Sequence, residues 1–195
     1  MSVPQTVWTI GHSTRSIDVF IAVLKHYGIE AIADVRRFPG SRRLPQFGAE
    51  ALQASLEAEG IVYALITELG GRRQPAADSV NTAWRNTSFR GYADHLASEE
   101  FGVGLERLSQ MRSQHRTALM CAEVLWWRCH RSLISDVLKI SGTEVLHIQD
   151  EKHATEHPYT APARLYQGAL TYDSTKGEPL NEKERSKGIQ TSLDF

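Results

Sequence analysis

The sequence predicts an α/β fold: a mainly parallel sheet covered by helices, in a single domain with a mobile C-terminal tail. Three observations predict it. Short apolar runs alternate with stretches of helical periodicity, and strands joined through helices pair in parallel within one sheet. Glycines stand where the helical stretches should stop. The chain has 195 residues, 41% of them hydrophobic, which suffices for one sizeable core and a tail.

The elements follow in order. Residues 7–10 form a short apolar run, closed by Gly11, His12, Ser13 and Thr14. Ser16 can cap a helix to about residue 26, with Ile17, Phe20, Ile21 and Leu24 on one face and Gly28 ending it. Residues 31–35 read as a buried strand, and 36–47 as a loop with two prolines and a glycine. Residues 50–59 are helical and stop at Gly60; residues 62–66 are a third strand. Leu69, Gly70, Gly71, Arg72 and Arg73 open a polar loop. Residues 92–111 are expected to be helical, with a break at Gly102 or Gly104. Residues 117–122 are a fourth strand, 131–140 a helix and 144–148 a fifth strand. These elements place the domain at 1–172. The polar, charged stretch 173–195 reads as a flexible tail.

Composition limits the function. A net charge of -1 argues against a polycation that coats nucleic acid. The basic residues are nonetheless skewed, with 16 Arg against 6 Lys and eight of the arginines between Arg36 and Arg90. Arginine suits planar, bidentate contact with phosphate or carboxylate; a coding bias would give the same count. The start lacks a secretory signal, no run approaches a membrane span, and the two cysteines, Cys121 and Cys129, are expected as free thiols. A cytoplasmic protein with no membrane partner is the expectation.

In open parallel sheets, ligands bind at the carboxyl ends of the strands. The residues after each predicted strand therefore nominate the site. They are His12, Ser13 and Arg15; Asp34, Arg36 and Arg37; Glu68, Gly70, Gly71 and Arg72; Cys121 and Glu123; His147 and Gln149. Several of them also form motifs: Thr9 to Thr14; Asp34 and Arg36 with Pro39, Gly40 and Ser41; Met120 to Glu123 leading to Cys129, His130 and Arg131; and His157 to Thr160. In combination these motifs resemble the domain-of-unknown-function 488 family over roughly residues 7–172. The resemblance implies an α/β fold and points to the same strand-end residues, without naming a reaction.

Glu123 is the first catalytic candidate, expected to be partly desolvated beside a thiol and two tryptophans and so fitted to acid or base work. Asp34 is the second carboxylate, and His12, in a strand-to-helix turn with Ser13, the third catalytic candidate. Structural roles compete: a salt bridge from Glu123 to Arg131 or Arg36, anchoring of the Arg36 loop by Asp34, and helix capping around Ser13. Arg36, Arg37, Arg42, Arg72 and Arg131 are candidates to hold substrate, with Ser13, Cys121 and Trp127 as further contacts. A phosphatase-type Cys with an Arg six residues on is absent, since Trp127 and Ser135 occupy those positions. Cys121, Cys129 and His130, with His153 or His157 as a fourth ligand, match no closed zinc spacing, so no metal is assigned and Cys121 reads as a buried apolar thiol. Trp84, Phe89 and Tyr92, interleaved with Arg85 and Arg90, could stack bases but more often such rings simply pack.

The chain ends with Gln190, Leu193 and Phe195 in a pattern similar to the peptide by which bacterial replication and repair proteins hold the DNA sliding clamp. Together these features predict a DNA-processing or repair enzyme recruited to the clamp, hydrolysing a glycosidic bond to a damaged or modified base with Asp34 and Glu123 as paired carboxylates. No cofactor is required on that reading. A metal-dependent nuclease would use the same acids and add Mg2+. The same residues would also suit a small-molecule sulfur- or phosphoryl-transfer enzyme, or a non-catalytic nucleic-acid-binding module.

Overall fold

The computed structural model describes residues 6–40 and 43–180. Its strands are β1 (Val7–Gly11), β2 (Ala31–Asp34), β3 (Val62–Leu65), β4 (Thr117–Cys121), β5 (Val145–Ile148), β6 (Ala154–Glu156), β7 (Arg164–Tyr166), β8 (Ala169–Thr171) and β9 (Glu178–Pro179). Its helices are α1 (Ile17–His26), α2 (Ala49–Glu57), α3 (Thr87–His95), α4 (Glu99–Gln114) and α5 (Arg131–Ile140). The main sheet has the order β3-β2-β4-β1-β5-β6. The first five of these strands pair in parallel, and β6 joins the edge antiparallel to β5. The chain is an α/β domain with a mixed, mostly parallel sheet.

Burial on both faces explains the strand sequences. β1, β2 and β4 are buried at every position, as central parallel strands covered on two sides require. Alternate residues then serve opposite cores. Ile10, Ile32 and Met120 pack with Phe20 and Leu24 of α1 and Leu52 and Leu56 of α2. Ala33, Leu119 and Val145 pack with Tyr92 of α3, Phe101 and Leu108 of α4, and Leu133 and Leu138 of α5. Each large side chain so buried contributes about 1.5–3 kcal/mol.

Local signals act where they were expected. Ser16 Oγ accepts from the Val19 N–H at 3.3 Å and starts α1, and Gly28 takes a left-handed φ of 62° just past its end. The long helical stretch breaks elsewhere than at Gly102 or Gly104. It divides into α3 and α4 at Leu96–Ser98, because Ser98 Oγ caps α4 through the Phe101 N–H at 3.1 Å. Gly104 lies inside α4, where a Cβ would stand 2.8 Å from the Leu69 side chain; it admits close packing instead of a break.

Described structure also runs past residue 172. β7, β8 and β9 form a small antiparallel sheet, Asp173 accepts from the backbone and hydroxyl of Thr175, and Leu180 is buried with its N–H on the Ala163 carbonyl. Of these, only β9 and the residues around it lie within the stretch read as a tail, and a strand of two residues leaves no periodic pattern. Gln190, Leu193 and Phe195 lie outside the described residues, as does Arg42. No described helix is long and apolar enough to cross a membrane.

Candidate functional site

From β1 the chain steps to β2 and β3 with α1 and α2 on one face, then returns through β4 to β5 with α3, α4 and α5 on the other. The neighbouring strands β2 and β4 therefore send their following loops to opposite faces. A crevice must open between those loops, and strand-order switches of this kind are where α/β sheets bind ligands. The crevice is a pocket of about 200 Å3, with Arg36, Arg37 and Phe38 after β2, Gly71 and Arg72 after β3, and Cys121, Glu123 and His130 around the β4 loop.

The walls are fixed by close backbone contacts. The His12 and Ser13 N–H groups continue the β1–β4 pairing onto the carbonyls of Cys121 and Ala122, both at 2.9 Å. Gly11 makes this possible, because a Cβ there would lie 1.9 Å from the Glu123 carbonyl oxygen. Ser13 has φ 50° and Arg72 φ 58°, left-handed conformations that cost a non-glycine residue about 1–2 kcal/mol. Two strained turns thus flank the carboxyl edge.

The predicted site residues separate into two layers. Arg36, Arg37, Arg72, Cys121 and Glu123 come together around the pocket. Glu123 is exposed, not desolvated, and its carboxylate has no hydrogen-bond or ion-pair partner among the described residues. Phe38 is 64% exposed at the mouth, 5.6 Å from the Arg37 guanidinium and 6.0 Å from that of Arg72. The sequence carries no periodic signal for it; its place between two arginine-bearing loops follows only from the topology.

Asp34, His12 and Arg131 lie beneath. Asp34 is fully buried and its oxygens are fully engaged. Oδ1 accepts from the Arg36 N–H at 3.1 Å and Nε at 2.8 Å, and Oδ2 from Arg36 Nη2 at 2.6 Å and the Tyr63 hydroxyl at 2.8 Å. Burial and the Asp34 carboxylate together push the Tyr63 hydroxyl well up, beyond any working pH. Asp34 is thus the anchor of the Arg36 loop. His12 stacks on Phe47 with ring centres 4.2 Å apart. Its Nδ1 donates to the Ser13 carbonyl at 2.8 Å, so the neutral ring turns Nε2 toward Arg36 Nη1 at 3.4 Å. Burial lowers its pKa to about 4. Trp127 is half exposed and sits edge-on to Trp126, away from the pocket lining. Arg73 is tied to Glu100, and Trp84 stacks on Phe89, so these serve packing.

Arg131 begins a different structure. Its guanidinium is 1% exposed, with Nη2 on the carbonyls of Glu123 and Val124 and Nη1 on Thr9 Oγ1 at 3.1 Å. Thr9 Oγ1 lies 2.7 Å from His147 Nδ1, His147 Nε2 2.8 Å from His157 Nδ1, and His157 Nε2 3.0 Å from Asp136 Oδ1. A carboxylate only accepts and a guanidinium only donates, so Arg131 donates to Thr9 Oγ1 and His157 Nε2 donates to Asp136, which fixes the two ends of this chain. Asp136 also accepts from the Thr160 N–H at 2.8 Å, the Thr160 hydroxyl at 2.5 Å and the Tyr172 hydroxyl at 2.8 Å. Trp126 closes the relay, stacked on His147 at 4.4 Å. Burial, then the neighbouring His157 and Arg131, hold His147 down at about 2, so it is neutral.

The pocket floor holds the two thiols and one imidazole. The Sγ atoms of Cys121 and Cys129 and a ring nitrogen of His130 lie within 4.8 Å of one another. The contact with Cys129 and burial push the Cys121 thiol up. For Cys129, burial opposes ionisation, but the contacts with the Cys121 thiol and the His130 ring and the positive charge of Arg131 outweigh it and bring the thiol well down. The pair thus favours one thiolate, on Cys129.

The family model for the domain of unknown function DUF488 matches residues 16–138. The chain belongs to the DUF488 family. The matched segment carries the whole pocket, from Arg36 through Arg72 to His130, and stops inside α5. Of the DUF488 motifs noted in the sequence, the one from Thr9 to Thr14 precedes the match, and the one from His157 to Thr160 lies beyond it and serves the buried relay, since both end residues bind Asp136. No curated protein and no solved structure matches.

Proposed function

We propose that the protein is an enzyme acting on nucleic acid, with Glu123 as the acid–base group, Arg37 and Arg72 holding the phosphate backbone, and Arg36, fixed by Asp34 and the Phe47 carbonyl, shaping the pocket wall. The observation that carries this reading is the composition of the pocket: an exposed carboxylate, unpartnered among the described residues, sharing one pocket with two exposed arginines, Arg37 and Arg72, at the strand-order switch. Guanidinium groups suit phosphate oxygens, and the exposed Phe38 ring offers a face for a base or sugar. Hydrolysis of the glycosidic bond of a damaged or modified base fits a single carboxylate that polarises a water or faces an oxocarbenium-like centre. Asp34 does not supply a second free carboxylate, because Arg36 and Tyr63 occupy both its oxygens. The Mg2+-dependent nuclease reading is favoured less: Mg2+ takes hard oxygen ligands, and Glu123 brings the one carboxylate among the described lining residues. Recruitment to a sliding clamp through Gln190, Leu193 and Phe195 belongs to the same proposal.

The test uses full-length protein and a panel of damaged and modified DNA duplexes, with and without Mg2+, resolving released base from cut strand. Release of a base without Mg2+ is the expected result, with Glu123→Gln at least ~100-fold slower. DNA affinity should fall as salt rises, because bound phosphates release counterions. An inactive wild type across the panel, or affinity indifferent to ionic strength, would remove nucleic acid as the substrate.

A further inference from the structure

The proposed chemistry at Glu123 leaves the sulfurs and the imidazole on the pocket floor without a task. We propose that Cys121, Cys129 and His130 bind a zinc-class divalent metal ion, with a fourth coordination position open to the arginine pocket. This inference stands whatever substrate the pocket takes.

Distances support it first. The three ligand atoms already lie within 4.8 Å of one another, the one cluster of its kind among the described residues. Cys129 Sγ and His130 Nδ1 are 3.6 Å apart. Two corners of a tetrahedral zinc site, with Zn–S near 2.3 Å and Zn–N of about 2.0–2.1 Å, are separated by about 3.5 Å.

The outer partners support it as well. His130 Nε2 donates to the Val35 carbonyl at 2.9 Å, which fixes the tautomer and leaves the Nδ1 lone pair toward the sulfurs. Metal-binding histidines are held by this kind of second hydrogen bond. The ring is clamped in place: Tyr92 lies 5.0 Å away, and a Cβ on Gly71 would come within 2.7 Å of Nδ1. Thiolates are the ligand form, and a bound divalent ion would itself displace the thiol protons. Sulfur and imidazole select zinc-class ions over Mg2+ or Ca2+.

The histidines that could close the site are committed elsewhere. His157 lies between Asp136 and His147, and His153 pairs with Asp150. Cys121 and His130 line the pocket while Cys129 is buried behind them, so the free position faces Glu123 and the arginines. Three protein ligands and an open fourth position are the arrangement of catalytic zinc sites, whereas structural sites are closed by four.

The experiment is a Co2+ titration of full-length protein, reduced and stripped with chelator, followed by Zn2+ displacement. One equivalent of Co2+ per chain is expected, with a thiolate-to-cobalt charge-transfer band in the near ultraviolet and visible bands of a tetrahedral site. Zn2+ should abolish both, with an apparent Kd below about 1 μM. Cys129→Ser should weaken binding at least ~100-fold, and Glu123→Gln should leave the spectrum unchanged. Because Cys129→Ser could fail to fold, the wild-type spectrum decides by itself: no charge-transfer band at saturating Co2+ overturns the proposal. Loss of the band in Glu123→Gln overturns this ligand set.

Discussion

At the carboxyl edge of β2 and β4 the ionisable groups face outward. Glu123 is exposed and unpartnered, and Arg37 and Arg72 are open to solvent. One layer below, Arg131, Thr9, His147, His157 and Asp136 face only the protein interior, and each is at most 1% exposed. The same side-chain types occur in both regions, and free valence is what separates them. The relay spends its hydrogen-bonding capacity inside the protein, save for Arg131 Nε, which is buried without a partner among the described residues, so its groups act as structure. The pocket leaves donors and a carboxylate unspent, so its groups are available to a ligand. A list of histidines, acids and arginines at strand ends does not distinguish the two.

That contrast can be tested first on the two buried carboxylates, Asp136 and Asp34. Asp136→Ala strands His157, Thr160 and Tyr172 in a dry interior and should lower unfolding free energy by about 3–5 kcal/mol, measured by urea denaturation. A loss below ~1 kcal/mol would mean the relay is not the rigid element described. Asp34→Asn keeps the volume but removes the charge that holds Arg36, and should cost about 2–3 kcal/mol; an unaltered urea midpoint would dissolve the distinction between anchor and site.

The acid limb of the stability profile sharpens the comparison further. His147 has a folded value of about 2 against 6.5 in a free chain, so the unfolded state takes the proton first. Its contribution to stability is complete above about pH 6.5 and diminishes as pH falls below that. Between about pH 6.5 and pH 5 the loss should approach 2 kcal/mol. A urea midpoint flat over that interval would show the relay already open to water. The smallest effect belongs to the pocket: Glu123→Gln should change stability by no more than about 0.5 kcal/mol, since no described partner is lost.

Much of the fold was legible because its signals are local. Ser16 caps α1, Gly28 ends it, and the buried runs of β1, β2 and β4 lie where the apolar residues cluster. The antiparallel β6 and the small sheet of β7, β8 and β9 were not, because strands this short have no period to read. The site was legible in position along the chain but not in direction. Asp34 and Glu123 both follow central strands, yet one is turned inward by Arg36 and Tyr63 and the other outward by the β4 loop. Asp136 sits mid-helix and gives no sequence sign that it collects hydrogen bonds from residues up to Tyr172.

The strand order has a consequence for how the molecule comes into being. β4 occupies the centre of the sheet, yet β1, β2 and β3 all precede it along the chain. As the polypeptide emerges during synthesis, β1 with α1 and β2 with α2 and β3 exist as two pieces with no strand to join them. Their inner edges are apolar and unpaired, the kind of surface that recruits unwanted neighbours. The fourth strand is a keystone: its arrival unites the halves and, in the same step, sets Cys121 and Glu123 opposite Arg36. A nascent chain that stalls before residue 117 therefore has neither the joined sheet nor the site, and it should be a preferred client for chaperones that shield exposed strand edges.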